Sequence, residues 1–114
     1  MDSSGNEIKN NCLIYFENFS KKNISALRKN FADDIYLRDW VIEQSGIDNV
    51  IKVIENIFVN NSSFEIKPLN LLAENNQVSA EIEILINRKE LIRVVDVIKF
   101  NDQKKIISII AYKG

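Results

Sequence analysis

Between residues 6 and 20, Ile8, Cys12, Tyr15, Phe16 and Phe19 recur at spacings of three and four, the period of an amphipathic helix. Asn23 is placed to cap a second, short helix carrying Ile24, Leu27 and Phe31 on one side, and Ala32-Asp33-Asp34 reads as its end. From Asp34 to Trp40 the period falls to two. Ile35, Leu37 and Asp39 then share one face of a strand, and Tyr36, Arg38 and Trp40 the other. The turn "EQSGID" precedes a further helix, with Ser45 or Asp48 as its expected cap. Ile47, Val50, Ile51, Ile54, Ile57 and Phe58 form its apolar stripe, and "VNNSS" ends it. Beyond Ser63 the alternation is mostly period two, broken by turns at "AENNQ", "NRKE" and "NDQKK". Within it Val78, Ala80, Ile82, Ile84 and Ile86 face one way, and Glu81 and Glu83 the other. Residues 105–112 are apolar on both faces, as in a central or covered strand. The order is helix, helix, strand, helix, then a meander. It predicts an α+β domain in which a curved antiparallel sheet wraps over the N-terminal helices. Ile35, Leu37, Ile82, Ile84, Val94 and Ile98 are expected on its concave side.

One strand breaks its own pattern. In "LIRVVDVIKF" at 91–100, Ile92, Val94, Asp96, Ile98 and Phe100 share a face, so an aspartate stands among apolar residues. Asp39 repeats the oddity beside Ile35 and Leu37, and Tyr15 brings a hydroxyl to the buried side of the first helix. A sheet curled over that helix would bring the three into one apolar cavity. Two carboxyls in a low-dielectric pocket do not both ionise cheaply, so one would stay protonated and the other, nearer water, would act as a base. Each residue also has a plain structural reading. Tyr15 can be a core tyrosine, Asp39 can cap a turn, and Asp96 can pair with a buried donor.

Composition narrows the chemistry. With 114 residues, 46% hydrophobic and 27% charged, the chain suits a single domain spanning 1–114. A net charge of −1 gives no basic footprint for nucleic acid, and no apolar run reaches membrane length. The start "MDSSGNEIKNN" lacks the parts of a signal peptide, and Cys12 is the single cysteine, so a reduced, cytoplasmic setting is expected. Histidine is absent. That removes Ser-His-Asp and Cys-His catalysis and the usual zinc hydrolase ligand sets, and no metal or other cofactor is expected.

Tyr15 near its helix end, "LRKNFADDIYLRDW" at 27–40, the turn at Gly46 and "VVDVIKFNDQKKIISIIAYKG" at 94–114 together resemble the nuclear-transport-factor-2-like superfamily. This is the cone-shaped, cystatin-like α+β fold of ketosteroid isomerases and SnoaL-like polyketide cyclases. The resemblance to ketosteroid isomerase implies roles for three residues. Asp39 would shuttle a proton α to a carbonyl, while Tyr15 and a protonated Asp96 would stabilise the enolate oxygen. Phe31, Trp40, Ile54, Phe58, Ile82, Ile84, Val94 and Ile98 are the expected walls of the substrate site. Two positions depart from the isomerase pattern: Ile54 stands where a further tyrosine is common, and Trp40 replaces a proline after the base. Epoxide-hydrolase-like chemistry would need an arginine between the acids, but Arg38 and Arg93 have the opposite parity. Scytalone-dehydratase-like chemistry would need the missing histidines.

The expectation is a cofactor-free isomerase or cyclase acting on a small hydrophobic carbonyl compound. Two alternatives stand beside it: a non-catalytic module holding a small hydrophobic ligand, and a dimeric assembly domain. A homodimer is expected in each case, through an outer sheet face near Val95, Val97, Ile107 and Ile109.

Overall fold

The computed structural model describes residues 3–114, so the first two residues of the opening segment lie outside it. The amphipathic opening forms α1 (Ser3–Ser20), which buries Ile8, Cys12, Tyr15 and Phe16. The Asn23 side chain accepts the Ala26 amide and starts α2 (Ile24–Asn30), anchored in the core by Leu27. Phe31 does not extend this helix, contrary to the periodicity. Its backbone is extended (φ −93°, ψ 141°) and opens β1 (Phe31–Arg38). Ala32-Asp33-Asp34 lies inside β1, where the register against its neighbour shifts between Phe31 and Tyr36. Phe31 is buried on either reading, so an apolar spacing could not say which backbone carried it.

β2 (Glu43–Ser45) has no counterpart in the sequence pattern, because three residues show no period. It pairs antiparallel with β1, Arg38 opposite Glu43, so residues 39–42 form a hairpin corner. Neither Ser45 nor Asp48 caps α3 (Ile47–Asn60). Gly46 holds the N-cap at φ 87° with no side-chain bond, a conformation that costs little only without a Cβ. Asp48 instead pairs with Arg28 of α2 at 2.9 Å.

β3 (Phe64–Glu74), β4 (Gln77–Ile86), β5 (Glu90–Phe100) and β6 (Ile106–Lys113) form the meander. The sheet runs β2-β1-β6-β5-β4-β3. β6 lies parallel to β1, so the sheet is mixed and not wholly antiparallel. The long path through β2, α3, β3, β4 and β5 supplies the crossover a parallel pair requires. Bulges bend it: Leu69 has no partner between Pro68 and Asn70, and Ile107 has none between Ile106 and Ser108. The second bulge resets parity. Ile109 therefore sits opposite Ile98 on the concave face, 1% exposed, and Ile110 takes the convex position. The expectation of Ile109 on the outer face is thereby corrected. α1 packs on β3 and β4, and α3 on β1, filling the concavity of an unclosed sheet.

Candidate functional site

Asp39 is the first residue of the β1–β2 corner. Its amide donates to the Ile42 carbonyl at 2.9 Å. Its Oδ1 accepts the Val41 and Ile42 amides, both at 2.7 Å, the short length of an amide donor on a carboxylate. An aspartate bonding the backbone two and three residues on is a standard way to build such a corner. The plain reading of Asp39 as a turn residue is thus correct, yet it does not exhaust the side chain. Two amides hold Oδ1, and the residue also borders the space inside.

Asp96 is placed by the centre of β5, opposite Ala80 of β4 and Ala111 of β6. Two alanines leave room above the pleat that larger neighbours would fill. Asp96 is 7% exposed. Burial, and secondarily the nearby Asp39, pushes its carboxyl from 3.8 up to about 7. Tyr15 comes from α1, its ring packed between Phe16, Phe19 and Phe31 at centroid separations of 5.5, 6.1 and 6.0 Å. Burial raises its hydroxyl well above 10.0, with the Asp96, Cys12 and Asp39 charges adding to that. One turn earlier Cys12 is fully buried, and burial followed by Asp96 pushes its thiol up to about 12. A thiol held protonated in this way is a core side chain, not a nucleophile. Among the described residues, neither the Tyr15 hydroxyl nor the Asp96 carboxyl has a hydrogen-bond partner in the protein.

Tyr15, Asp39 and Asp96 all border one cavity of about 100 Å³ inside the cone. Trp40, Ile54, Ile82, Ile84 and Val94 stand in its wall, as do Phe19, Leu37, Ile57, Ile66, Ile109 and Ala111. Three residues expected in that wall are not there. Phe31 packs behind Tyr15 (6.0 Å), Phe58 packs edge-on behind Phe19 (4.8 Å), and Ile98 is fully buried beneath the sheet surface. They support the lining residues without reaching the space. Of the wall residues the sequence reading did not single out, Ile66 shares the inward parity of Phe64 on its strand, which was the available signal, whereas Ala111 has the parity of Ile109. Ile109 was hidden by the bulge. The wall contains no arginine; Arg93 pairs with Glu83 on the convex face at 3.2 Å.

A wider groove of about 750 Å³ runs outside, between residues 41–44 and α3. It is the larger space, but its carboxyls, Glu43 and Glu55, are exposed to solvent, whereas the buried Asp96 borders the small one. Among the described residues no group of three or more Cys, Asp or Glu gathers to hold a metal.

A model of the SnoaL-like domain matches residues 14–109. The chain belongs to the SnoaL-like family. Solved structures agree on the SnoaL-like fold. A candidate ketosteroid isomerase from Kribbella flavida DSM 17836 superposes with a TM-score of 0.84 at 10% identity, covering 96% of this chain and 79% of that one. A candidate SnoaL-like polyketide cyclase from Shewanella denitrificans OS-217 gives 0.84 at 11%, covering 94% and 90%. An epoxide hydrolase/cyclase-like enzyme with a role in pyran ring formation in the polyether salinomycin gives 0.83 at 17%, covering 96% and 92%. No curated protein matches the sequence. Identities this low carry the fold and leave the chemistry to the site.

Proposed function

We propose that this SnoaL-like protein is a cofactor-free proton-transfer enzyme, an isomerase or cyclase, for a small hydrophobic carbonyl compound. One observation carries the reading: two carboxyls and a tyrosine hydroxyl, from three separate elements, border a single apolar cavity. Asp39 is the base. Its free oxygen takes a proton from the carbon α to the carbonyl and returns it to another carbon of the dienolate. The negative charge that develops on the carbonyl oxygen is met by Tyr15 and by Asp96 in its protonated form. An Asp96 carboxyl at about 7 retains a proton that a solvated aspartate would have lost. Ile54, apolar and fully buried in the wall, adds no further hydroxyl to this pair.

Two copies of the chain associate through the convex sheet face. Leu72, Leu91, Val95 and Tyr112 are exposed there, at 64%, 56%, 40% and 54%, an apolar spread uncommon on a monomer. A cytoplasmic setting suits the single, buried, unpaired Cys12.

The test follows hydrogen exchange at the α-carbons of cyclopentanone in heavy water by NMR. The protein should accelerate exchange, and Asp39→Asn should return it to the buffer rate while the ketone still binds. Equal exchange with and without protein, over a series of small ketones, would reject the enzyme reading in favour of a binding module.

A further inference from the structure

The polar wall is inside the cone, but the side chain that closes it comes from its rim. Trp40 borders the cavity while remaining 46% exposed, so its indole lies between the interior and solvent. Its direction is set by the corner that aims Asp39, since the Val41 and Ile42 amides are bound to Asp39 Oδ1. A second group holds it. The Lys113 ammonium stands over the Trp40 ring, 5.6 Å from its centroid, a cation on the electron-rich face. Lys113 is no loose tail: it pairs with Val94, itself a wall residue, and the next amide, Gly114, donates to the Arg93 carbonyl at 2.8 Å. A base-bearing corner and a strand end are thus clamped together across the mouth.

The space behind the clamp is about 100 Å³. A cavity of roughly 150 Å³ accommodates a benzene ring, so this smaller one sets an upper limit of about six heavy atoms. Its wall has two carboxyls and no lysine or arginine, and the Lys113 charge is engaged by Trp40 outside. An anionic group brought inside would meet two acids and no counter-charge.

We infer that Trp40 and Lys113 form a closure that restricts the site to uncharged carbonyl compounds of no more than about six heavy atoms. The inference rests on the proton-transfer reading for its substrate class, although the closure itself is a matter of binding. Trp40 is the size-determining residue, and Lys113 is a positioning residue that acts through it.

Cyclopentanone, the fused bicycle 2-decalone and the anion 3-oxocyclopentanecarboxylate separate the elements of this claim. The parent protein should exchange the α-hydrogens of cyclopentanone and leave the other two at the buffer rate. Trp40→Ala should raise the decalone-to-cyclopentanone ratio by at least about tenfold. Lys113→Met should raise it by less, and should red-shift the emission of Trp40, the one tryptophan in the chain. A ratio unchanged in both variants overturns the closure, as does a parent protein that accepts decalone or the anion as readily as cyclopentanone. If no ketone exchanges with any variant, the proton-transfer reading fails, and thermal shifts judge the closure alone. Stabilisation of the parent by cyclopentanone only, and of Trp40→Ala by both neutral ketones, then supports it. Equal or absent stabilisation by the two ketones across all three proteins overturns it.

Discussion

The two aspartates share a cavity and almost nothing else. Asp39 sits at a hairpin corner, half-buried, with two backbone amides on one oxygen. Asp96 sits in mid-sheet, flanked by alanines across the ladder, with no donor among the described residues on either oxygen. A corner supplies unpaired amides that a carboxylate can accept, whereas every amide of a central strand is already spent on the ladder. Backbone location therefore separates a side chain that accepts two amides from a carboxyl that burial, and secondarily Asp39, pushes up to about 7. Identical side chains are suited to the different roles proposed for them because the backbone around them differs.

The sharpest way to break that comparison is to neutralise the corner. Asp39→Asn retains an oxygen for the Val41 and Ile42 amides, so the turn and the melting temperature should survive. Catalysed α-exchange should fall by about 10²–10⁴-fold, the usual worth of a placed general base. An equal loss of stability would make Asp39 a turn residue and nothing more.

Removing either partner of the developing oxyanion comes next. Tyr15→Phe and Asp96→Ala should each slow exchange by about 10²–10³-fold, read from the same NMR rates. The parent rate should also fall as pH rises through about 7, where Asp96 loses the proton it donates. A rate that climbs steadily through that range would show that Asp96 works ionised.

Stability tests the same acid with no substrate present. Its carboxyl titrates at about 7 when folded and near 3.8 when unfolded, so between those values the folded state binds more protons. Stability should therefore decline as pH rises from about 4 to 7, and every tenfold difference in proton affinity between the two states is worth about 1.4 kcal/mol. Asp96→Leu should flatten that decline and melt at or above the parent temperature at pH 8. An acid retained to satisfy a buried donor would instead cost about 1–3 kcal/mol on removal.

The mildest perturbation lies on the convex face. Val95→Lys should halve the mass seen by light scattering at micromolar concentration and leave cyclopentanone exchange within about twofold, since Val95 faces away from the cavity.

Much of this was legible along the chain. Period two placed Asp96 and its apolar neighbours inward, and period 3.6 placed Tyr15 on the buried side of α1, because burial demands the same faces wherever an element packs. The α+β class followed from the order of those periods. Residue pattern could not settle Phe31, whose burial is the same in a helix or a strand, nor β2, which is too short to have a period.

Tertiary structure decided the rest, and each case has its own cause. The Ile107 bulge moved Ile109 inward, since one unpaired residue inverts every later side chain on a strand. β6 came to lie parallel to β1, a pairing chosen by the packing of the whole sheet. Phe31, Phe58 and Ile98 fell one layer behind the cavity, because parity tells inside from outside but carries no depth. Lys113 reached Trp40 across the mouth because sheet registry joins β6 to β5, while a hairpin corner brings the indole to the same place. Faces are a local property of backbone period. Which faces meet, and how much space remains between them, depends on the non-local contacts that close the cone.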